Sequence, residues 1–112
     1  MIEPAQTKQS PLNEIVQEIV RVAEPDRVIL FGSRAKGTAS VESDYDFLVV
    51  VPSVQNERQV SRLIYRALLE KRMGVAVDAI VVSEETLKQF RASPYFIYRQ
   101  ALAEGQTLYE RN

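Results

Sequence analysis

The chain has 112 residues, 14 of them basic and 15 acidic, for a formal net charge of −1. This length suits one domain, and the charge balance argues against a grip on nucleic acid that rests mainly on electrostatics. Cysteine and histidine are both missing, which excludes disulfides, thiolate metal sites and the commonest general base, so any chemistry falls to carboxylates, hydroxyls, amines, backbone and bound ions.

Residues 1–10, MIEPAQTKQS, are polar and read as a flexible N-terminus without the basic flank and apolar centre of a signal peptide. Residues 11–112 then form a single domain. No apolar run approaches the ~20 residues that span a bilayer, so a cytoplasmic protein with no membrane contact is expected. Ser10-Pro11 has the form of an N-cap followed by proline at the first helical position. Leu12, Ile15, Val16, Ile19, Val20 and Ala23 then recur with helical period, and Pro25 ends the helix. RVILFG (27–32) reads as a short buried strand stopped by glycine, and SRAKGTAS (33–40) as a brief helix or turn. DYDFLVVV (44–51) is a continuous β-branched run of the kind found in a central strand covered on both faces.

After a loop at Pro52-Ser53, Glu57 to Arg72 carries a second amphipathic pattern, with Val60, Leu63, Ile64, Ala67 and Leu68 expected inward. VAVDAIVV (75–82) reads as a third buried strand. Ser83-Glu84-Glu85 opens a helix to about Phe90 by the cap-and-acid rule. Ser93-Pro94 opens another that ends near Glu104-Gly105, and QTLYER (106–111) is a final edge strand. The order αβαβαβαα(β) predicts an α/β (α+β) fold, a small mixed sheet flanked by helices.

Acids inside these strands need a reason. Asp44 and Asp46 are two apart and share one strand face, with Tyr45 on the other. Two such charges ~6 Å apart repel by roughly 3 kcal/mol at an effective dielectric near 20. A divalent cation between them reverses the sign, and oxygen-rich acidic sites suit Mg²⁺. Asp78 is the polar residue of an otherwise apolar strand, where a lysine, an arginine or a metal is expected beside it. If its strand lies next to that of Asp44 and Asp46, three carboxylates converge, enough for two Mg²⁺ ions. Alone, Asp44 and Asp46 are equally well read as a turn cap and a solvated strand entrance, and Asp78 as a strand-end residue or ion-pair partner.

Upstream, FGSRAKG follows a strand and opens a helix. Gly32 allows close backbone approach, the amides after it suit an anion, and Ser33 adds a hydroxyl. Arg34 and Lys36 can add charge, although a solvated surface role fits each at least as well. The stretch GSRAKGT imitates the G-x-x-x-x-G-K-[ST] phosphate loop, but Thr38 stands where the lysine belongs, and G-x-G-x-x-G is not matched.

Gly32-Ser33, ten further residues, then Asp44-Tyr45-Asp46 resembles the signature of the DNA polymerase β-like nucleotidyltransferase superfamily. At average residue usage that spacing arises by chance about once in a thousand chains of this length. FGSRAKGTASVESDYDFLVV looks like the minimal single-domain members, the MNT or MntA type, and Asp78 falls where they carry a third carboxylate. The similarity runs from roughly Ile15 to Tyr109.

The resemblance implies the polymerase β-like fold and a Mg²⁺-dependent transfer of AMP from ATP. Gly32 and Ser33 would grip the β- and γ-phosphates, Asp44 and Asp46 would bridge two Mg²⁺ ions, and Asp78 would hold the ion that activates the attacking hydroxyl. Larger relatives carry a helical acceptor domain for which this length leaves no room, so the acceptor is expected on another molecule. Minimal members pair with a HEPN-domain toxin, and some adenylylate a tyrosine of it, so an antitoxin paired with a HEPN toxin is expected. The alternatives are a non-catalytic antitoxin that neutralises by binding, and a nucleotidyltransferase of small molecules such as antibiotics. In SPYFIYRQAL (93–102), Tyr95, Phe96 and Tyr98 are candidate partner anchors, with helix packing the better reading.

Overall fold

A computed structural model describes residues 11–37, 44–52, 56–90 and 97–111. The N-terminal segment 1–10 with its Ser10 cap, the helix start at Ser93-Pro94, Tyr95, Phe96 and the side chain of Tyr98 lie outside the described residues.

The elements follow the periodicities of the sequence. Helix α1 (Leu12–Ala23) starts after Pro11 and closes on Glu24, a left-handed residue at φ 46° whose amide returns to the Val20 carbonyl. Strand β1 (Arg27–Phe31) stops at Gly32, and α2 (Ser33–Lys36) is a single turn. Strand β2 (Tyr45–Val51) leads to α3 (Glu57–Lys71), whose Asn56 cap accepts a hydrogen bond from Gln59 N at 3.0 Å. Strand β3 (Val77–Ser83) runs directly into α4 (Glu84–Phe90), where the Ser83 hydroxyl accepts from Thr86 N at 3.1 Å, as the cap rule expects. Helix α5 (Ile97–Glu104) and β4 (Gln106–Glu110) complete the order.

The four strands form one mixed sheet in the order β3-β2-β1-β4. β1 pairs antiparallel with both β2 and β4, whereas β2 and β3 are parallel, joined by the α3 crossover. Alternation sorts side chains onto two faces. Val28, Leu30, Tyr45, Phe47, Val49, Val51 and Ala79 pack with Ile15 and Ile19 of α1 and with Val60, Ile64 and Leu68 of α3. Ile29, Phe31, Leu48, Val50 and Val82 pack with Leu87 of α4 and Ala101 of α5. Glu18, buried on α1, is held by Arg21 of the same helix at 2.6 Å and pairs with Lys71 of α3 at 3.7 Å, which ties the two helices. Among the described residues no helix is long and apolar enough to cross a membrane.

Three expectations change. Residues 75–82 were expected as a buried strand, but β3 lies at the sheet edge with mixed exposure, and it begins at Val77 because β2 offers a partner only from Tyr45 onward. Asp78 is therefore exposed rather than buried. Leu63 is 41% exposed rather than inward, because the stripe of Val60, Ile64, Ala67 and Leu68 already fills the face of α3 that meets the sheet.

Candidate active site

The parallel register sets Asp46 directly opposite Asp78. In β2 the alternation that buries Tyr45 and Phe47 against α1 and α3 turns Asp46 to the other face, and Asp44 stands just ahead of the strand. Asp46 is half-buried, while Asp44 and Asp78 are exposed. Burial first, then the charges of Asp78 and Asp44, hold the Asp46 carboxyl above the usual carboxylate range. Both neighbouring acids therefore act on one central carboxylate, as the sequence led one to expect.

The end of β1 completes this corner, because Phe31 is the antiparallel partner of Asp46 and Gly32 follows it. Gly32 adopts φ 78°, ψ −159°, a region essentially reserved for glycine. A Cβ there would stand 2.5 Å from Asp46 Oδ2, so this position presses bare backbone against the acid. The Gly32 carbonyl accepts from Ala35 N and Lys36 N at 3.1 and 3.2 Å, which winds α2 and puts half-buried Ser33 in its first turn. Amides at that position have no intrahelical acceptor and suit phosphate oxygens.

The two cations of the loop have other contacts. The Arg34 guanidinium lies 4.1 Å from the centre of the Tyr45 ring, and Tyr45 faces away from Asp46. Lys36 Nζ pairs with Glu104 Oε1 of α5 at 3.2 Å, between side chains about half exposed. Gly32, Ser33, Asp44, Asp46 and Asp78 thus meet at one end of the sheet, whereas the contacts of Arg34 and Lys36 are made with Tyr45 and Glu104. One participant was missed from sequence. The hydroxyl of Tyr65, on α3, lies 3.3 Å from Asp78 Oδ1 and accepts from Ala79 N at 2.8 Å. It stands where a lysine, an arginine or a metal was expected, and the sequence pattern of α3 did not single it out.

The donor set fits Mg²⁺, since it offers carboxylate oxygens without nitrogen or sulfur ligands. Among the described residues no three His, Cys, Asp or Glu side chains are gathered into a group that could hold a metal ion. The expected convergence of three carboxylates is therefore reached only as the Asp46–Asp78 register pair with the charge of Asp44 nearby.

Two measurements probe this corner. Gly32→Ala should destabilise the fold by about 1–3 kcal/mol from backbone strain, as denaturant melts check. Because the folded chain binds the Asp46 proton more tightly than the unfolded chain does, stability from this group is lost as pH rises through its raised value. Without metal, Asp46→Asn should therefore melt higher than the native chain near neutral pH, with the gap closing on acidification, as followed by thermal melts in chelator.

A nucleotidyltransferase domain model matches residues 11–106. A candidate protein adenylyltransferase of Methanocaldococcus jannaschii is 37% identical over 83 residues, which is 74% of this chain and 77% of that protein. Among solved structures, a candidate nucleotidyltransferase from Sulfolobus solfataricus is similar with a TM-score of 0.59 at 25% identity, over 89% of this chain and 78% of that one. The MntA-HpeT toxin-antitoxin shares the fold at a TM-score of 0.61 and 21% identity, over 93% and 76%. A toxin-antitoxin solved with AMP-PNP does so at 0.60 and 20%, over 88% and 73%. With a family match spanning most of its length and carboxylates paired across β2 and β3 beside a glycine turn, the chain belongs to the nucleotidyltransferase domain family.

Proposed function

We propose that the chain is a Mg²⁺-dependent transferase that moves AMP from ATP to a tyrosine hydroxyl of a partner HEPN toxin in the cytoplasm, and so acts as its antitoxin. The observation that carries the chemistry is the register pair Asp46–Asp78 with Gly32 against it. The M. jannaschii relative supports a protein acceptor, the neighbour solved with AMP-PNP supports ATP, and the toxin-antitoxin neighbours support a toxin partner.

In this reading the backbone after Gly32 and the Ser33 hydroxyl hold the β- and γ-phosphates, and Arg34 and Lys36 add positive charge to the same loop. Asp44, Asp46 and Asp78 are the residues that would hold Mg²⁺. When bound, Mg²⁺ lowers the pKa of the attacking hydroxyl and neutralises charge on the leaving group. The acceptor oxygen forms a bond to the α-phosphorus as the bond from that phosphorus to the α–β bridging oxygen breaks. The bond's electrons leave with pyrophosphate, and the hydroxyl proton passes to Asp78. Histidine has no part in this scheme.

The test is label transfer from ATP labelled at the α-phosphate to the protein encoded by the neighbouring gene. The native protein should label it. Asp46→Asn should reduce the rate by about 10³-fold or more, since several kcal/mol of charge stabilisation is lost at about 1.36 kcal/mol per tenfold. No transfer between folded partners would overturn the reading. If Asp44→Asn with Asp46→Asn abolishes transfer yet still neutralises the toxin, occlusion rather than chemistry is the antitoxin mechanism.

A further inference from the structure

Among the described residues, the outer edge of β3 is closed by side chains of α3 instead of by another strand. Ser83 N donates to Glu57 Oε2 at 2.7 Å, and Ala79 N donates to the Tyr65 hydroxyl at 2.8 Å. The Ala76 carbonyl accepts from Tyr45 N beside β2 at 2.9 Å, so the strand's amides alternate inward and outward, and those of Ala79 and Ser83 face out. Both contacts blunt an edge that otherwise invites pairing with another chain.

Tyr65 does more than Glu57. Its oxygen is anchored on the β3 backbone, and its one proton has two acceptors within reach, Asp78 Oδ1 at 3.3 Å and the Ala79 carbonyl at 3.4 Å. A carboxylate is the stronger acceptor of the two. Asp78 is exposed, so burial does not set its rotamer, while Asp46 stands on its inner side in the register.

We propose that Tyr65 is a positioning residue, whose hydroxyl holds Asp78 Oδ1 at the outer edge of β3 and leaves the other carboxylate oxygen to the side on which Asp46 stands. The kinetic consequence rests on the transferase reading above, whereas the metal-binding consequence does not. Groups that orient metal ligands typically contribute about 10- to 100-fold in affinity or rate.

The experiment compares Tyr65→Phe with Glu57→Ala in the full chain. Glu57→Ala removes the neighbouring edge cap without touching Asp78, and so controls for lost stability. Mn²⁺ is titrated in the presence of a non-hydrolysable ATP analogue, and kcat and KM for ATP are measured as Mg²⁺ is varied. Tyr65→Phe should weaken metal binding about 10- to 100-fold and lower kcat with KM unchanged, whereas Glu57→Ala should lower the melting temperature and leave metal affinity alone. In an Asp78→Asn background, Tyr65→Phe should cause no further loss. Native metal affinity in Tyr65→Phe, or equal weakening by both variants, would overturn the proposal. If the native chain transfers no label yet shows this pattern of metal binding, the transferase reading fails and the positioning role stands.

Discussion

Two carboxylates held side by side in a parallel ladder are the constraint on which this molecule depends. Strands in a sheet are about 4.7–4.9 Å apart, and Asp46 and Asp78 occupy the same rung. The repulsion does not push the strands out of register, because the residues beyond them allow no other pairing. Phe47, Val49 and Val51 fill one layer, and Leu48, Val50 and Val82 fill the other. A slip of one residue would exchange the two faces along a whole strand. The apolar cores therefore supply the free energy that keeps the acids together, while burial first, and then the charges of Asp78 and Asp44, raises the Asp46 pKa.

The rest of the corner follows from what that pair leaves room for. β1 delivers its last residue opposite Asp46, and the chain must then turn away without a side chain, which Gly32 does at a positive φ. On the other side β3 is an edge strand, so α3 can reach round it with Glu57 and Tyr65. The acids meet bare backbone on one flank and a tyrosine hydroxyl on the other. A cation and the phosphates it carries suit this corner because they relieve the repulsion among the acids and supply the oxygens that the protein itself does not.

Much of this was legible from sequence, and the parts that were not share a cause. Periodicity located the elements, and the register of β2 placed Asp46 on the face opposite Tyr45, with Asp44 just ahead of the strand. The pattern VAVDAIVV reads equally well as a central strand or as an edge strand whose outer side is covered by a helix, so the exposure of Asp78 was misjudged. Leu63 was misplaced because hydrophobicity marks the margin of a helix face as readily as its centre. The contact of Arg34 with Tyr45, and that of Tyr65 with Asp78, depend on how distant elements meet in space. Local spacing carries no record of such meetings.

The most direct measurement is a crystal structure grown with Mn²⁺ and a non-hydrolysable ATP analogue, with the metal located by its anomalous signal. The account requires Mn²⁺ on the carboxylates of Asp46 and Asp78 and the nucleotide's phosphates against Gly32 and Ser33. Metal and nucleotide bound elsewhere, or Asp78 turned away from a metal held by Asp46, would contradict it.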